Sequence, residues 1–183
     1  MNSWMWYLTR SSGIVAAVLA VASLVLGLFF SARNTGARKK PNWWLSLHNY
    51  LGGLTLGFIG FHMLVSFLNT ETGLRLLDLF VPNTKAGWAI GWGVIGAWLF
   101  ALVVIPSIAR IRRRLPRKLW HVIHLLSVPA VVLTIVHALQ SGSDSWHEWF
   151  TTGVAVIAGT SIYPLSVRLI AVAQRRRSVA AAT

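Results

Sequence analysis

Four histidines fall into two pairs of nearly matched spacing, His48 with His62 and His124 with His137, and each pair lies inside one long apolar run. An imidazole in hydrocarbon is costly, so an ionisable group there marks a functional position by default. Neutral imidazole nitrogen is a good axial ligand for haem iron, and one histidine from each of two facing helices closes both axial positions of a low-spin haem. Separations of fourteen and thirteen residues rise about 20 Å along an α-helix, so each run carries one imidazole toward each face of a bilayer. The chemistry such a quartet can support is one-electron transfer along two stacked haems.

The elements that must position these residues are membrane-spanning helices. With 55% hydrophobic residues in a chain of 183 and a mean hydropathy of +0.62, the sequence is too apolar for a soluble domain and too short for more than one compact unit. Five stretches are long enough to cross, roughly 11–32, 46–69, 86–109, 118–140 and 149–172, which predicts an all-α integral membrane bundle forming a single domain over 1–183.

The net charge of +13 does not point to nucleic acid, because the basic residues sit between spans and not along a soluble face; they encode topology. Arg33, Arg38, Lys39 and Lys40 follow the first span. Arg110, Arg112, Arg113, Arg114, Arg117 and Lys118 follow the third, and Arg175, Arg176 and Arg177 follow the fifth. These segments are expected in the cytoplasm, which places the N-terminus outside and the C-terminus inside. The four acidic residues, Glu71, Asp78, Asp144 and Glu148, fall in the two loops left for the other side. Tryptophans favour the headgroup level: Trp4, Trp6, Trp88, Trp92, Trp146 and Trp149 mark the outer boundary, Trp43, Trp44 and Trp120 the inner one, and Trp98 alone falls mid-membrane. The first apolar run is too long for a signal-peptide core and reads as a retained helix. The sequence has no cysteine, which excludes disulfide exchange, iron–sulfur clusters and thiolate-bound or covalently attached haem.

In this topology the second and fourth spans both run outward. His48 and His124 then lie near the cytoplasmic face and His62 and His137 near the outer face. At about 100° per residue, fourteen positions return to within about 40° of one helix face, whereas thirteen miss by about 140°. The fourth span therefore needs a local deviation, and Pro129, between His124 and His137, is its expected source. Without that deviation one haem is the alternative. Gly52, Gly53, Gly57 and Gly60 either let a flat macrocycle approach the second span or let another helix do so. His121, one turn before His124, is the alternative inner ligand; His147, beside Trp146, reads as interfacial.

Arg10 to Gly13 opening the first helix, Asn42, Trp43 and Trp44 leading to His48 with thirteen residues between it and His62, and Trp120 before His124 with twelve between it and His137 together resemble the ferric reductase-like transmembrane domain. That superfamily includes NADPH oxidases, ferric reductases and MsrQ-type haem subunits. The resemblance implies two haem b groups, with His48 and His124 binding the inner haem iron and His62 and His137 the outer one. It implies electron transfer from the cytoplasm to the exterior. Arg10 is similar to the family arginine near an outer haem propionate, although an interfacial arginine would occupy the same place. Lys39, Lys40, Arg117 and Lys118 could screen inner propionates, a role their topological one does not require.

The departures from the family also shape the expectation. No Gly-rich dinucleotide fingerprint is present in the sequence, so hydride would be collected by a partner. NADPH oxidases place basic or imidazole groups one turn beyond the outer ligands, and Ser66 and Ser141 stand there instead. The sequence therefore predicts an electron-transfer subunit in the cell membrane of a prokaryote, with no catalytic residue of its own. Its donor would be a cytosolic flavoprotein reductase or membrane quinol, any flavin belonging to that partner, and its acceptor would be extracytoplasmic. A transporter, metal permease or scaffold that uses the histidines for packing or metal binding is the competing reading. It lacks the intramembrane carboxylates that coupled transport needs.

Overall fold

A computed structural model describes residues 3–32, 42–82, 84–142 and 145–180. Arg33, Arg38, Lys39, Lys40 and Asp144 lie outside the described residues. Eight α-helices carry the described chain: α1 (Ser3–Ala32), α2 (Asn42–Leu68), α3 (Gly87–Val104), the single turn α4 (Ala109–Arg112), α5 (Arg117–Leu125), α6 (Ser127–Ser141), α7 (Glu148–Gly159) and α8 (Ile162–Ala180). They make five stretches long and apolar enough to cross a membrane, Trp4–Phe30, Trp43–Leu68, Gly87–Ser107, Arg117–Ser141 and Glu148–Gln174. The all-helical, five-span expectation holds.

The boundaries shift for identifiable reasons. Nothing between Ser3 and Gly13 breaks a helix, so α1 starts at Ser3 and Arg10 lies two turns inside it instead of at its start. The third span ends as α-helix at Val104 and tightens into the 3₁₀ turn Ile105–Ser107, because Pro106 has no N–H to continue the ladder. Prolines also split the last two spans. Pro129 cannot bond the carbonyl of Leu125, and the helix breaks at Leu126, whose N–H reaches back only to Ile123. Pro164 likewise cannot bond Thr160, and α7 gives way to α8 across Thr160 and Ser161.

Two helix pairs form the framework: α1 packs along α2, and α3 along α6. The buried core joins them through Ala20 and Val21 of α1, Phe100 of α3, and Ala130 and Val131 of α6. Small residues bring α3 and α6 close, since a β-carbon on Gly96 would already stand 3.7 Å from the Ala130 carbonyl oxygen. Many large apolar side chains face outward instead, as suits a lipid solvent.

The segment between α2 and α3 folds back along α3. Asn69 caps the turn Thr70–Thr72 by accepting the Glu71 N–H at 3.2 Å. Asp78 accepts the Arg75 backbone N–H at 2.8 Å and its guanidinium at 2.9 Å, closing the turn Leu76–Leu79. Trp98 donates its indole N–H to the Phe80 carbonyl at 3.0 Å. This loop therefore satisfies the polar tip of the one tryptophan that falls mid-span in the sequence.

Candidate functional site

The two histidine pairs meet across the bundle. The ring centres of His48 on α2 and His124 on α5 stand 5.9 Å apart with planes at 72°, and those of His62 on α2 and His137 on α6 stand 6.2 Å apart at 70°. A first-row metal bound at about 2 Å by one nitrogen of each imidazole separates two facing ring centres by about 6 Å. Among the described residues there is no cluster of three or more histidine, cysteine or acidic side chains able to hold a metal. A pair of imidazoles alone is a poor cage for a bare ion, which prefers four or more protein ligands. The pair suits an iron whose equatorial positions a macrocycle already fills, and in that sense the donor set fits haem.

Each ring is held by the helix behind it. His62 donates its Nδ1–H to the Thr9 carbonyl at 2.9 Å, His48 to that of Ser23 at 3.0 Å, and His137 to that of Ala89 at 2.8 Å. A carbonyl oxygen only accepts, so Nδ1 carries the proton and Nε2 keeps its lone pair for a metal. Four residues after each of these carbonyls stands a glycine, Gly13, Gly27 and Gly93. A helix carbonyl points along the axis at residue i+4, so a ring that reaches it must lie against that residue's backbone. A β-carbon would stand 3.0 Å from the His62 ring at Gly13, 3.0 Å from the His48 ring at Gly27 and 2.8 Å from the His137 ring at Gly93.

The fourth histidine departs from this pattern by one atom. The position equivalent to glycine is Ser107, four residues after Val103, and its hydroxyl donates to the Val103 carbonyl at 2.7 Å. Its oxygen lies 3.4 Å from His124 Nδ1 and accepts the Trp120 indole N–H at 3.3 Å. The single O–H is spent on Val103, so the His124 Nδ1–H is again the donor and Nε2 again the open nitrogen. Trp120 stacks on His124 at 4.7 Å and 19°, with the Arg112 guanidinium 4.2 Å from its ring centre. The seats on the first and third spans are both fourteen residues apart, Gly13 to Gly27 and Gly93 to Ser107, matching His48 to His62.

A cavity of about 350 Å³ opens between His48 and His124 and is lined by Gly27, Gly52, Ser107 and Arg168 among others. Gly57 and Gly60 do not serve it: they lie about 180° and 120° around α2 from His48, and a β-carbon on either would meet nothing within 4 Å. His121 borders the cavity, but the ring facing His48 is that of His124. Arg10 lies beside Thr9 at the His62 and His137 end, its guanidinium 5.0 Å from the Trp6 ring centre and 5.9 Å from that of Phe150. Ser141 reaches His137 Nδ1 at 3.3 Å, Ser66 is buried, and His147 lies against Trp149 at 6.3 Å. Gly27, Gly93, Ser107 and Arg168 are not marked by the histidine spacings; the repeated fourteen-residue spacing on the first and third spans is the sequence signal for the first three.

Comparison with curated proteins returns no match. The family model described as ferric reductase like transmembrane component matches residues 16–135, which is 120 of 183 residues. The match takes in His48, His62 and His124, begins after Arg10 and stops two residues short of His137. The chain therefore belongs to the ferric reductase-like transmembrane component family, which implies haem-containing transmembrane electron transfer in general.

Proposed function

We propose that this protein is a b-type dihaem membrane cytochrome that carries electrons outward across a prokaryotic cell membrane, the whole chain acting as one domain. The observation that carries the reading is the pair of imidazole gaps, 5.9 and 6.2 Å between ring centres, with each Nδ1 committed to the helix behind. His48 and His124 hold the inner iron, and His62 and His137 the outer one. Each haem would be held by one histidine pair and would supply a one-electron carrier, so substrates would react at partners or at an exposed edge. The backing groups, Thr9 and Ser23 on α1, Ala89 on α3 and Ser107 in the turn after α3, hold the imidazoles in one tautomer and one orientation, which would spare reorganisation when the charge at iron changes.

The basic segment from Arg110 to Lys118 lies at the His48 and His124 end, and the positive-inside rule assigns that end to the cytoplasm. The N-terminus is then outside, and the C-terminus inside with Arg177. Arg10, at the outer end, is suited to an outer propionate. The donor is a cytosolic flavoprotein reductase or a membrane quinol, and the acceptor is extracytoplasmic. The purified protein, reduced, should show Soret and α bands, with two haems per chain. His62→Ala and His124→Ala should each lose one. Absence of the bands rejects the haem reading, and one haem per wild-type chain rejects the dihaem form.

A further inference from the structure

We propose that Arg168 anchors a carboxylate of the group held between His48 and His124, acting as the inner counterpart of Arg10. The inference rests on the haem reading of the inner pair. Arg168 lies on α8 and lines the same cavity as those two histidines. It stands six residues before the end of its span at Gln174, about 9 Å along the helix. Arg10 stands six residues after the start of the first span at Trp4. Each cation thus lies inside its own apolar span, one near each histidine pair.

Among the described residues the inner cation meets no carboxylate. The sequence has four acidic residues, Glu71, Asp78, Asp144 and Glu148, and all belong to the segments that join the second span to the third and the fourth to the fifth. Of these, Glu71 and Asp78 follow α2 and Glu148 opens α7, all at the other end. Among the described residues Arg168 makes no ion pair. A cationic residue lining a membrane cavity calls for an anion, and a haem held by His48 and His124 would bring two propionates to this one. A lipid phosphate has the same anionic chemistry but would draw the side chain to the headgroup level, away from the cavity it lines.

Placed there, the charge favours the reduced iron, because reduction adds a negative charge nearby. The test is redox titration of the purified holoprotein by visible absorbance, with His48→Ala used to identify the inner component. Arg168→Gln should retain both haems and weaken reduction of the inner one about tenfold, a downward shift of about 59 mV for a one-electron couple. The outer potential should not move, and Arg168→Lys should restore most of the shift. An inner potential unchanged in Arg168→Gln overturns the anchor and leaves lipid phosphate as the partner. Equal loss of the inner haem from the Gln and Lys variants also overturns it, since a packing role alone would do that. Wild-type protein without haem bands defeats the underlying reading instead, so the two failures are told apart.

Discussion

Gly93 and His137 approach so closely that a β-carbon on the glycine would stand 2.8 Å from His137 Nδ1, inside any real contact distance. In an ordinary helix, exchanging glycine for alanine stabilises by roughly 0.5–1 kcal/mol. Here the added methyl must push the ring off the Ala89 carbonyl. Gly93→Ala should weaken haem retention at the outer pair by about 10- to 100-fold, the usual effect of disturbing a ligand's supporting contacts. Gly13→Ala and Gly27→Ala, with 3.0 Å approaches, should follow the same course less severely. Gly57→Ala and Gly60→Ala, which meet open space, are the controls and should retain both haems. Haem released to a competing apoprotein gives the ranking, and a Gly93→Ala protein that holds haem as tightly as Gly57→Ala contradicts it.

Ser107 offers a sharper comparison, because two substitutions at one position should act in different ways. Ser107→Ala removes the oxygen that receives the His124 and Trp120 N–H groups and leaves a methyl in its place. Unmet donors in a dry site cost about 1–3 kcal/mol, so inner haem affinity should fall by about tenfold or more. Ser107→Gly opens the Val103 carbonyl to the imidazole directly, the arrangement already present at the other three histidines. It should therefore bind the inner haem more tightly than Ser107→Ala. The reverse order in the same release assay would mean that the serine does not stand in for a glycine seat.

What the sequence disclosed and what it hid follow from the kind of signal each feature leaves. The spans and the histidine spacings were legible because apolar length and the helical repeat are properties of one segment at a time. Pro129 was a readable cause for the break in the fourth span, although the break itself falls at Leu126, three residues earlier, where the missing hydrogen bond is felt. The helix breaks at Pro106 and Pro164 obey the same logic and went unread because no histidine spacing called attention to them. The seats at Gly27, Gly93 and Ser107 were hidden for another reason: they pair one helix with a different one, and a glycine in a membrane helix has several uses. Gly57 and Gly60 drew notice by lying between the histidines in sequence, yet they point elsewhere around α2.

The loop between α2 and α3 should respond to acid in a defined direction. Hydrogen bonds from the Arg75 side chain first, then from Thr84 and the Arg75 backbone, hold the Asp78 carboxyl well below the usual carboxylate range. Its folded-state value lies below its unfolded one, so its contribution to stability is present above about pH 3.9 and is lost as pH falls toward the folded value. Loop order, followed by hydrogen exchange at Leu76–Phe80, should thus be level from neutral pH to the ordinary carboxylate range and decline only below it. Asp78→Asn should exchange faster at neutral pH and show no such acid transition. A wild-type transition centred near pH 6 would contradict the assignment.

The break at Leu126 decides whether one helix can serve both pairs, and Pro129 is the residue that can be removed to ask. Alanine there restores an N–H able to bond the Leu125 carbonyl, a gain of about 1 kcal/mol for the added helix bond. The helix then tends to run unbroken from Arg117 to Ser141, and on such a helix His124 and His137 point about 140° apart. One of them must leave its partner. The outer half is fixed by α3, where Ala130 is fully buried and His137 is bound to Ala89, whereas α5 contributes no buried residue. The inner half should therefore give way. Pro129→Ala is expected to keep the outer haem and to lose or weaken the inner one, with no loss of helical content by circular dichroism. Two haems with unchanged spectra would show that packing around Leu126 maintains the break without the proline.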